Sequence, residues 1–571
     1  MTRIKITIVA IIILFLFLFA AVFNITVIES RKYRLLSQKN CIRLLPQMGS
    51  RGKILDREGN ILATSKLSYD FMVLPQSQSQ LQKIFDEAGR VLSVNPKNLR
   101  DAYRKGFYAS TVPVTIAKNV GPKRAIVLGE LKQDYPGVII QPNPVRDYPN
   151  GRTAAHALGY LNEIDRWRLT KLEDYGYKKR DIIGFGGIEE KYDYYLRQEE
   201  GGLSIEVDHV GRLVRVLGFK SPRNGKDIQL TLNLKIQKIV DDNLAGRKGC
   251  VIIMDPNSGE VLALASGPNF SPLDFSERNN AAINSYFNNR DSPMLNRAIS
   301  GTYPPGSVFK PVVAAAALED KKINLNTTFL CKGSTLVGRK QFNCWSVHNE
   351  QNLIEALQHS CNVFFYRTGL LIGPQSMHDY ALKFGFSRPT GFELPYETSG
   401  YIPSPLLRRI HQFRKWYNGD TANLSIGQGD VLVTPLQIAR MMAVFANNGY
   451  LVTPYIVKAI DGRDISVYQR RLMNIGVKKE TLNAVKEGLK RVVSQTTGTG
   501  NVLSGLPVAV AGKTGTAQAS GGNSHAWFAG YFPVKNPKYV VCVFIERGGP
   551  GYTSCVVARS IIEAMANQGL I

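Results

Sequence analysis

Three short motifs in the chain carry residue types that suit acyl transfer. The first pairs Ser307 with Lys310 in Tyr303-Pro-Pro-Gly-Ser-Val-Phe-Lys-Pro311, where a turn precedes a helix predicted to start near the serine. Residues three apart share one helix face, so the lysine can reach the hydroxyl. The helix N-terminus favours an alkoxide and a neutral lysine, and a desolvated lysine can act as base for a nucleophilic serine.

The second motif is Ser360-Cys361-Asn362, which follows a helix predicted over 352–358. Residues two apart in a loop can point the same way, so Ser360 and Asn362 can face one cleft while Cys361 faces inward. Ser50-Arg-Gly-Lys53 repeats the spacing of the first motif, but turn residues surround it and no predicted helix orients it. We treat that copy as a coincidence.

The third motif, Lys513-Thr514-Gly515-Thr516, is predicted at the end of a strand over 506–512. Gly515 lets a substrate backbone approach the strand closely. The ammonium group and the two hydroxyls can hold a carboxylate. Each motif alone is a weak signal, but the three together predict a serine active site assembled from distant segments.

Three of the seven cysteines surround a histidine near the second motif. Cys331, Cys344, His348 and Cys361 follow the spacing C-x12-C-x3-H-x12-C, and thiolates with an imidazole suit tetrahedral zinc. The alternatives are three core thiols or a Cys331–Cys344 disulfide. Zinc behind Cys361 would hold the second motif in place and take no part in acyl transfer.

The elements around the motifs predict an α+β fold. Helical patterns dominate between the first motif and about residue 445, and a helix is predicted over 554–567. Strand patterns occur before and after these helices, at 228–232, 249–265, 508–513, 526–532 and 539–546. Strands at both ends of the region predict one antiparallel sheet assembled from its two ends. Upstream, 51–63 predicts two short strands around a turn, and 80–92 a helix.

The N-terminal segment predicts a membrane anchor. Residues 6–28 contain no charge and are long enough to span a bilayer, and no convincing cleavage site follows them. Basic residues flank the span on both sides, so their count leaves the orientation open. The net charge of +26 indicates an anionic membrane surface or wall polymer nearby, or simply solvated basic faces. No dense basic block with interleaved aromatics occurs, so nucleic acid is not expected as a partner.

The order S-x-x-K, S-x-N, K-T-G is the signature of serine β-lactamases and penicillin-binding proteins. Five further segments resemble class B penicillin-binding proteins, most closely the elongation type: Arg51 to Arg57, Arg146 to Pro149, Gly187 to Glu189, Leu295 to Ile299 and His525 to Gly530. The resemblance implies a cytoplasmic tail (1–5), an anchor (6–28), an elongated non-catalytic pedestal (29–225) and a transpeptidase domain (226–571). It places the β-lactamase-like transpeptidase domain, a central antiparallel sheet flanked by helices, on the periplasmic side of the bacterial inner membrane.

The same resemblance implies roles for the residues of the motifs. Ser307 would attack the penultimate D-Ala carbonyl of a stem peptide ending in D-Ala-D-Ala, with Lys310 taking its proton. Ser360 would relay a proton to the leaving D-Ala, and Asn362 would hold the peptide amide. An amine from a neighbouring stem would resolve the ester and form the cross-link, whereas β-lactams mimic the dipeptide and stall.

The third motif would bind the substrate's C-terminus by the same resemblance. Lys513, Thr514 and Thr516 would hold the terminal carboxylate, and Gly515 would admit the peptide backbone. The N–H groups of Ser307 and Thr516 would form the oxyanion hole. The implied partner is a polytopic glycosyltransferase of the shape, elongation, division and sporulation family.

Three other functions compete with an elongation-type transpeptidase. A β-lactam-hydrolysing enzyme would need a second base near the serine, and no glutamate can be assigned that role. A non-catalytic β-lactam sensor would be expected to carry a cytoplasmic signalling module, but only five residues precede the span. A division-type transpeptidase would use the same chemistry, although the Cys/His cluster favours the elongation type.

Overall fold

The structure is a computed structural model that describes residues 2–108, 112–207, 213–519 and 521–571. The chain divides into two compact units. The first unit comprises Met1–Gly52, Ser65–Val145 and Arg197–Gly225, and the second comprises Lys53–Thr64, Arg146–Leu196 and Lys226–Ile571. Residues 53–64 and 146–196, which the sequence analysis assigned to the pedestal, therefore pack within the second unit.

The first unit begins with the apolar helix Thr2–Phe23 and the π-helical turn Asn24–Ile28. Among the described residues, Arg3–Ile28 is the one helix long and apolar enough to cross a membrane, and none of it is buried. This helix fits the predicted single-pass anchor. The remaining helices of the unit are Ser30–Cys41, Gln78–Leu92, Pro96–Gly106 and Pro122–Glu130.

The first unit contains a three-stranded antiparallel sheet in the order Ile42–Gln47, Gly201–Val207, Leu213–Lys220. Its other strands are Ile61–Val73, which begins in the second unit, Val114–Val120 and Val138–Asp147. The helix Gln78–Leu92 confirms the helix predicted over 80–92. It buries Leu81, Ile84, Phe85, Ala88 and Leu92, the spacing of one helix face.

A five-stranded antiparallel sheet forms the centre of the second unit. Its strand order is Val261–Gly267, Gly249–Met254, Tyr539–Ile545, His525–Phe532, Ala511–Ala517. The first two strands come from the start of the region and the other three from its C-terminal end. The predicted assembly from two ends is therefore confirmed.

Both faces of this sheet are covered. Every residue of Gly249–Met254 is buried, with Ile252 and Met254 in one apolar cluster and Val251 and Ile253 in another. Alternate side chains of a strand point to opposite faces, so each cluster lies on one side of the sheet. The helices Leu234–Leu244 and Tyr552–Asn567 pack on the Val251 side, which explains why the strands read as continuous apolar runs.

The remaining elements of the second unit surround this core. Its other helices are Ala155–Leu158, Arg166–Leu172, Gly187–Lys191, Asp193–Leu196, Pro272–Ser276, Asn280–Asn288, Lys310–Glu319, Leu353–Gln358, Asn362–Lys383, Pro405–Gln412, Asn418–Ser425, Pro435–Ala446, Ser466–Gln469 and Lys479–Ser494. Its short strands are Ile54–Leu55, Tyr160–Glu163, Ile182–Phe185, Ile228–Leu230, Phe329–Cys331, Ser334–Val337, Lys340–Asn343, Asn349–Gln351, Tyr450–Val452, Val457–Ile460, Arg463–Asp464 and Leu472–Asn474.

Two predicted element boundaries near the motifs are wrong. Lys513 lies inside the strand Ala511–Ala517, not after a strand over 506–512, because pairing with His525–Phe532 runs through the whole motif. Tertiary pairing overrides the local apolar pattern there. The regular helix begins at Lys310, not near Ser307, because Gly306–Phe309 forms a 3-10 turn.

Candidate active site

Ser307 lies in the 3-10 turn Gly306–Phe309, with its side chain partly exposed. Gly306 has φ +56°, and its N–H donates to the carbonyl oxygen of Gly427 at 2.9 Å. A Cβ on Gly306 would lie 2.8 Å from the carbonyl oxygen of Thr516. The glycine therefore permits both the left-handed turn and the close approach of the serine turn to the third motif.

Lys310 is fully buried and joins the first motif to the second. Its Nζ donates to the Ser360 carbonyl oxygen at 2.8 Å and to Asn362 Oδ1 at 2.7 Å, and lies 3.2 Å from Ser360 Oγ. Burial lowers the pKa of Lys310 to about 8. The amine can therefore lose its proton near neutral pH and act as a base.

The second motif follows a capped helix. Asn352 caps Leu353–Gln358 by accepting from the Glu355 N–H, so the predicted helix over 352–358 is present with Asn352 as its cap. Ser360 then adopts φ +55°, a strained conformation for a residue with a side chain. Cys361 is buried behind the loop, and Asn362 starts the long helix Asn362–Lys383.

The third motif lies on the strand Ala511–Ala517, which is at the edge of the central sheet and, among the residues that the structure describes, pairs with His525–Phe532 alone. A Cβ on Gly515 would lie 3.0 Å from the carbonyl oxygen of Pro305, so the strand runs directly beside the serine turn. Thr516 is the exposed residue of the strand, and its hydroxyl accepts from the Gly551 N–H at 2.9 Å. The unpaired edge of such a strand can pair with an extended peptide.

Lys513 is the second fully buried lysine of the site. Its Nζ donates to the Thr514 carbonyl oxygen at 3.1 Å. Burial, together with repulsion from Lys310, holds the pKa of Lys513 well below its usual value. The two amines are therefore close enough to influence each other, and an anionic group between them would be strongly favoured.

Sequence reasoning missed a group of polar residues that links the second and third motifs. The hydroxyls of Thr499 and Thr514 lie 2.7 Å apart, and Thr497 Oγ1 accepts from Gln358 Nε2 at 2.8 Å. Nε2 of His359, the residue before Ser360, lies 3.0 Å from the same Thr497 oxygen. The run Thr496-Thr-Gly-Thr-Gly500 was the available signal, since two glycines between hydroxyl residues are typical of a tight loop.

The predicted Cys/His cluster comes together in space. One ligand atom from each of Cys331, Cys344, His348 and Cys361 lies within 4.8 Å of the others. His348 Nδ1 is 3.6 Å from Cys331 Sγ and 3.5 Å from Cys344 Sγ. These separations fit donors around one tetrahedral ion, for which sulfurs at about 2.3 Å would stand roughly 3.8 Å apart.

The charge of the cluster also suits a cation. The Cys361 thiol donates to Cys344, and the Asn362 N–H donates to the Cys344 sulfur at 3.1 Å, so these hydrogen bonds hold the pKa of Cys344 well below its usual value. Cys331, Cys344 and Cys361 are free thiols, so the Cys331–Cys344 disulfide that we considered does not form here. The bond to Asn362 ties the cluster directly to the second motif.

The second copy of the serine–lysine spacing, at Ser50 and Lys53, does not lie on a turn followed by a helix as Ser307 and Lys310 do. Ser50 and Lys53 lie outside any helix or strand, with their N–H groups donating to Asn224 Oδ1 and Asp227 Oδ1 respectively. The structure therefore brings the first, second and third motifs together and leaves this copy in irregular chain.

Two family models match the chain. The penicillin binding protein transpeptidase domain matches residues 249–566, and the penicillin-binding protein dimerisation domain matches residues 46–230. The first match covers more than half of the chain.

Individual relatives agree with these matches. The peptidoglycan D,D-transpeptidase MrdA of Haemophilus influenzae is 30% identical over 97% of this chain and 89% of its own length. The complex of the penicillin-binding protein PBP2 with MreC from Helicobacter pylori aligns with a TM-score of 0.82 at 26% identity, over 93% of this chain and 99% of that one. A chain from a peptidoglycan synthase complex that coordinates polymerization and crosslinking aligns with a TM-score of 0.74 at 28% identity, over 98% of both chains. The chain belongs to the penicillin-binding protein transpeptidase family.

Proposed function

We propose that the protein is a peptidoglycan D,D-transpeptidase that cross-links stem peptides through an acyl-enzyme on Ser307 during cell elongation. The observation that carries the proposal is the buried Lys310 amine, which bonds across to both Ser360 and Asn362 beside the serine turn. Family membership supports the reaction class. β-Lactams are inhibitors of the same site because they mimic the D-Ala-D-Ala terminus.

Acylation starts with attack of Ser307 Oγ on the penultimate D-Ala carbonyl. Lys310 accepts the serine proton, because its lowered pKa makes the neutral amine available. Ser360, at 3.2 Å from the lysine, passes a proton to the leaving D-Ala amine. Asn362 holds the substrate amide and, as a partner of the same lysine, keeps the base in position.

The edge strand binds the donor peptide. Lys513 and the hydroxyls of Thr514 and Thr516 bind the terminal carboxylate, whose negative charge relieves the repulsion between the two buried lysines. The open edge beside Gly515 pairs with the peptide backbone. The N–H groups of Ser307 and Thr516 form the oxyanion hole, a contribution of roughly 3–4 kcal/mol per donor.

The acceptor amine of a neighbouring stem then attacks the ester and forms the cross-link. Water must react more slowly than this amine for cross-linking to prevail. No carboxylate is placed as a hydrolytic base in this proposal, in contrast to a β-lactamase.

The Cys/His cluster binds a structural zinc ion. Cys331, Cys344, His348 and Cys361 supply the four donors, and the low pKa of Cys344 supplies thiolate character before the ion binds. When bound, the ion neutralises thiolate charge and cross-links the segment around Cys344 to the second motif. It takes no part in acyl transfer.

The helix Arg3–Ile28 anchors the chain in the inner membrane, with the catalytic unit on the periplasmic side. We assign residues 1–5 to a cytoplasmic tail, 6–28 to the anchor, 29–225 to the pedestal and 226–571 to the transpeptidase domain. A polytopic glycosyltransferase of the shape, elongation, division and sporulation family supplies the glycan strands. The similar chain from a peptidoglycan synthase complex that coordinates polymerization and crosslinking supports a polymerising partner, and the complex of the Helicobacter relative supports MreC as a further partner.

Labelling with fluorescent penicillin tests the proposed nucleophile. The full chain should form a stable adduct that maps to the peptide containing Ser307, and Ser307→Ala should abolish it. Ser50→Ala is the matched control, because it removes the serine of the second copy of the serine–lysine spacing, and it should label normally. Label that persists in Ser307→Ala would show that Ser307 is not the nucleophile. An adduct that hydrolyses within seconds would instead favour a β-lactamase.

A further inference from the structure

An exposed basic segment lies beside the catalytic cleft. We call residues 404–417 the strap; it contains the helix Pro405–Gln412, capped by Ser404, and none of the helix residues is buried. Leu406 and Ile410 are 63% and 54% exposed, and Phe413 is 90% exposed. Leu406 and Ile410 lie four residues apart and share one helix face, and Phe413 follows directly at the end of the helix, so the strap exposes three large apolar side chains.

The strap is strongly cationic. It contains four Lys or Arg residues and one histidine, and it has no acidic residue. Arg408 attaches the strap to the following helix, because it forms an ion pair with Asp420 at 2.6 Å, and its guanidinium also lies over the Trp416 ring. Arg409, Arg414 and Lys415 are exposed, and in the described part of the chain no carboxylate lies within ion-pair distance of them.

Contacts at the end of the strap fix it near the active site. Trp416 Nε1 donates to Thr421 Oγ1 at 2.8 Å, and Gln412 Nε2 donates to Asp430 Oδ2 at 3.2 Å. The segment between these two acceptors contains Gly427, whose carbonyl accepts from Gly306 in the serine turn. The strap is therefore fastened to the same chain segment that supports the nucleophile.

A second basic segment lies on the same side of the site. The hairpin Ser334–Asn343 carries Arg339 and Lys340 at its turn, and Asn343 accepts from Asn362 Nδ2 at 3.5 Å. A Cβ on Gly419, just beyond the strap, would lie 3.3 Å from the hairpin residue Phe342. The hairpin therefore packs beside the residue that follows the strap and also contacts the second motif.

We propose that the strap docks an anionic peptidoglycan strand and delivers its stem peptides to Ser307. This inference rests on the proposed function. Stem peptides carry free carboxylates, which pair with Arg409, Arg414 and Lys415, and the exposed rings of Phe413 and Tyr417 pack against the apolar faces of sugar rings. On this proposal a small β-lactam would react at Ser307 without using the strap, whereas a polymer would contact both.

Sedimentation of the full chain with purified, teichoic-acid-free sacculi tests this surface. The triple variant Arg409→Ala/Arg414→Ala/Lys415→Ala should bind sacculi roughly tenfold more weakly, as expected for three exposed ion pairs, and added salt should weaken the wild type more than the variant. Phe413→Ala alone should weaken binding and leave the salt dependence unchanged. The matched control, Lys97→Ala/Arg104→Ala/Lys105→Ala, removes the same charge from the helix Pro96–Gly106 and should bind like the wild type.

The ratio of polymer cross-linking to penicillin acylation separates this inference from the proposed function. In the strap triple variant the ratio should fall, because only the polymer uses the strap. Equal binding of the strap and control variants to sacculi would overturn the inference, as would strap-dependent binding to phosphatidylglycerol vesicles with unchanged binding to sacculi. A wild-type chain that binds sacculi but takes no penicillin label would instead refute the nucleophile and leave the docking surface standing.

Discussion

At the scale of single residues, the site depends on the amine of Lys310, which is buried where the charged form has a high desolvation energy. Lys310 has no exposed surface, and its partners are two neutral oxygens and a hydroxyl. Neutral partners compensate only part of the cost of burying a charge, so the uncharged amine becomes accessible near neutral pH. Lys513 is equally buried, so its site would favour an anionic partner such as the carboxylate of the proposed substrate.

The rate of Ser307 acylation by penicillin should rise with pH and level off above about pH 8. Because burial lowers the pKa of Lys310 to about 8, the neutral fraction falls about tenfold for each pH unit below 7. Initial labelling rates between about pH 5.5 and 9.5 measure this rise of the rate with pH. In Lys310→Arg the side chain stays charged throughout this range. The acylation rate should therefore fall about 100-fold or more and should not rise with pH. A wild-type rate that is flat across this range would exclude Lys310 as the base.

At the scale of elements, the strained turn at Ser360 is held by its neighbours. Ser360 keeps its left-handed backbone between the capped helix Leu353–Gln358 and the helix that begins at Asn362. The sulfur of Cys344 accepts from the Asn362 N–H, so the Cys/His cluster supports the loop from behind. Contacts of this kind hold the backbone of Ser360 and Asn362 in place.

Zinc should bind at about one ion per chain, and its loss should destabilise the second unit. Cys344→Ser removes a thiolate donor, so metal content by atomic spectrometry should fall and the melting temperature should drop by roughly 5 °C. Chelation of the wild type should give the same shift. Cys542→Ala is the control, since this buried thiol lies in the central sheet, and it should keep its zinc. Metal-free wild-type protein of unchanged stability would contradict the zinc assignment.

At the scale of the whole molecule, the first of the two compact units begins with a fully exposed apolar helix. None of Arg3–Ile28 is buried within the protein, so its apolar side chains require a bilayer or another cover. The net charge of +26 suits a chain that lies near an anionic membrane surface or an anionic wall polymer.

The full chain should stay in the membrane fraction after carbonate washing and be released by detergent. Removal of residues 1–28 should move the protein to the soluble fraction, because the remaining chain contains no comparable span among the residues that the structure describes. The truncated protein should still take penicillin label on Ser307, since all three motifs lie in the second unit. Release of the full chain by carbonate alone would argue against a spanning anchor.

The sequence by itself determined the apolar N-terminal helix, the α+β class and the identity of the three motifs. These features depend on local composition and on residue type: an uncharged apolar run, alternating strand patterns, and a serine spaced one helical turn from a lysine. The helix Gln78–Leu92 and the sheet assembled from two ends followed from the same patterns.

Only the tertiary structure decided how the motifs meet. The pairing of Ala511–Ala517 with His525–Phe532 extends the strand through Lys513, and the 3-10 turn shifts the helix start past Ser307. The hydrogen bond between the hydroxyls of Thr499 and Thr514 joins two segments whose local sequences give no indication that they are in contact. Contacts between distant segments depend on long-range packing and burial, which local propensity does not encode.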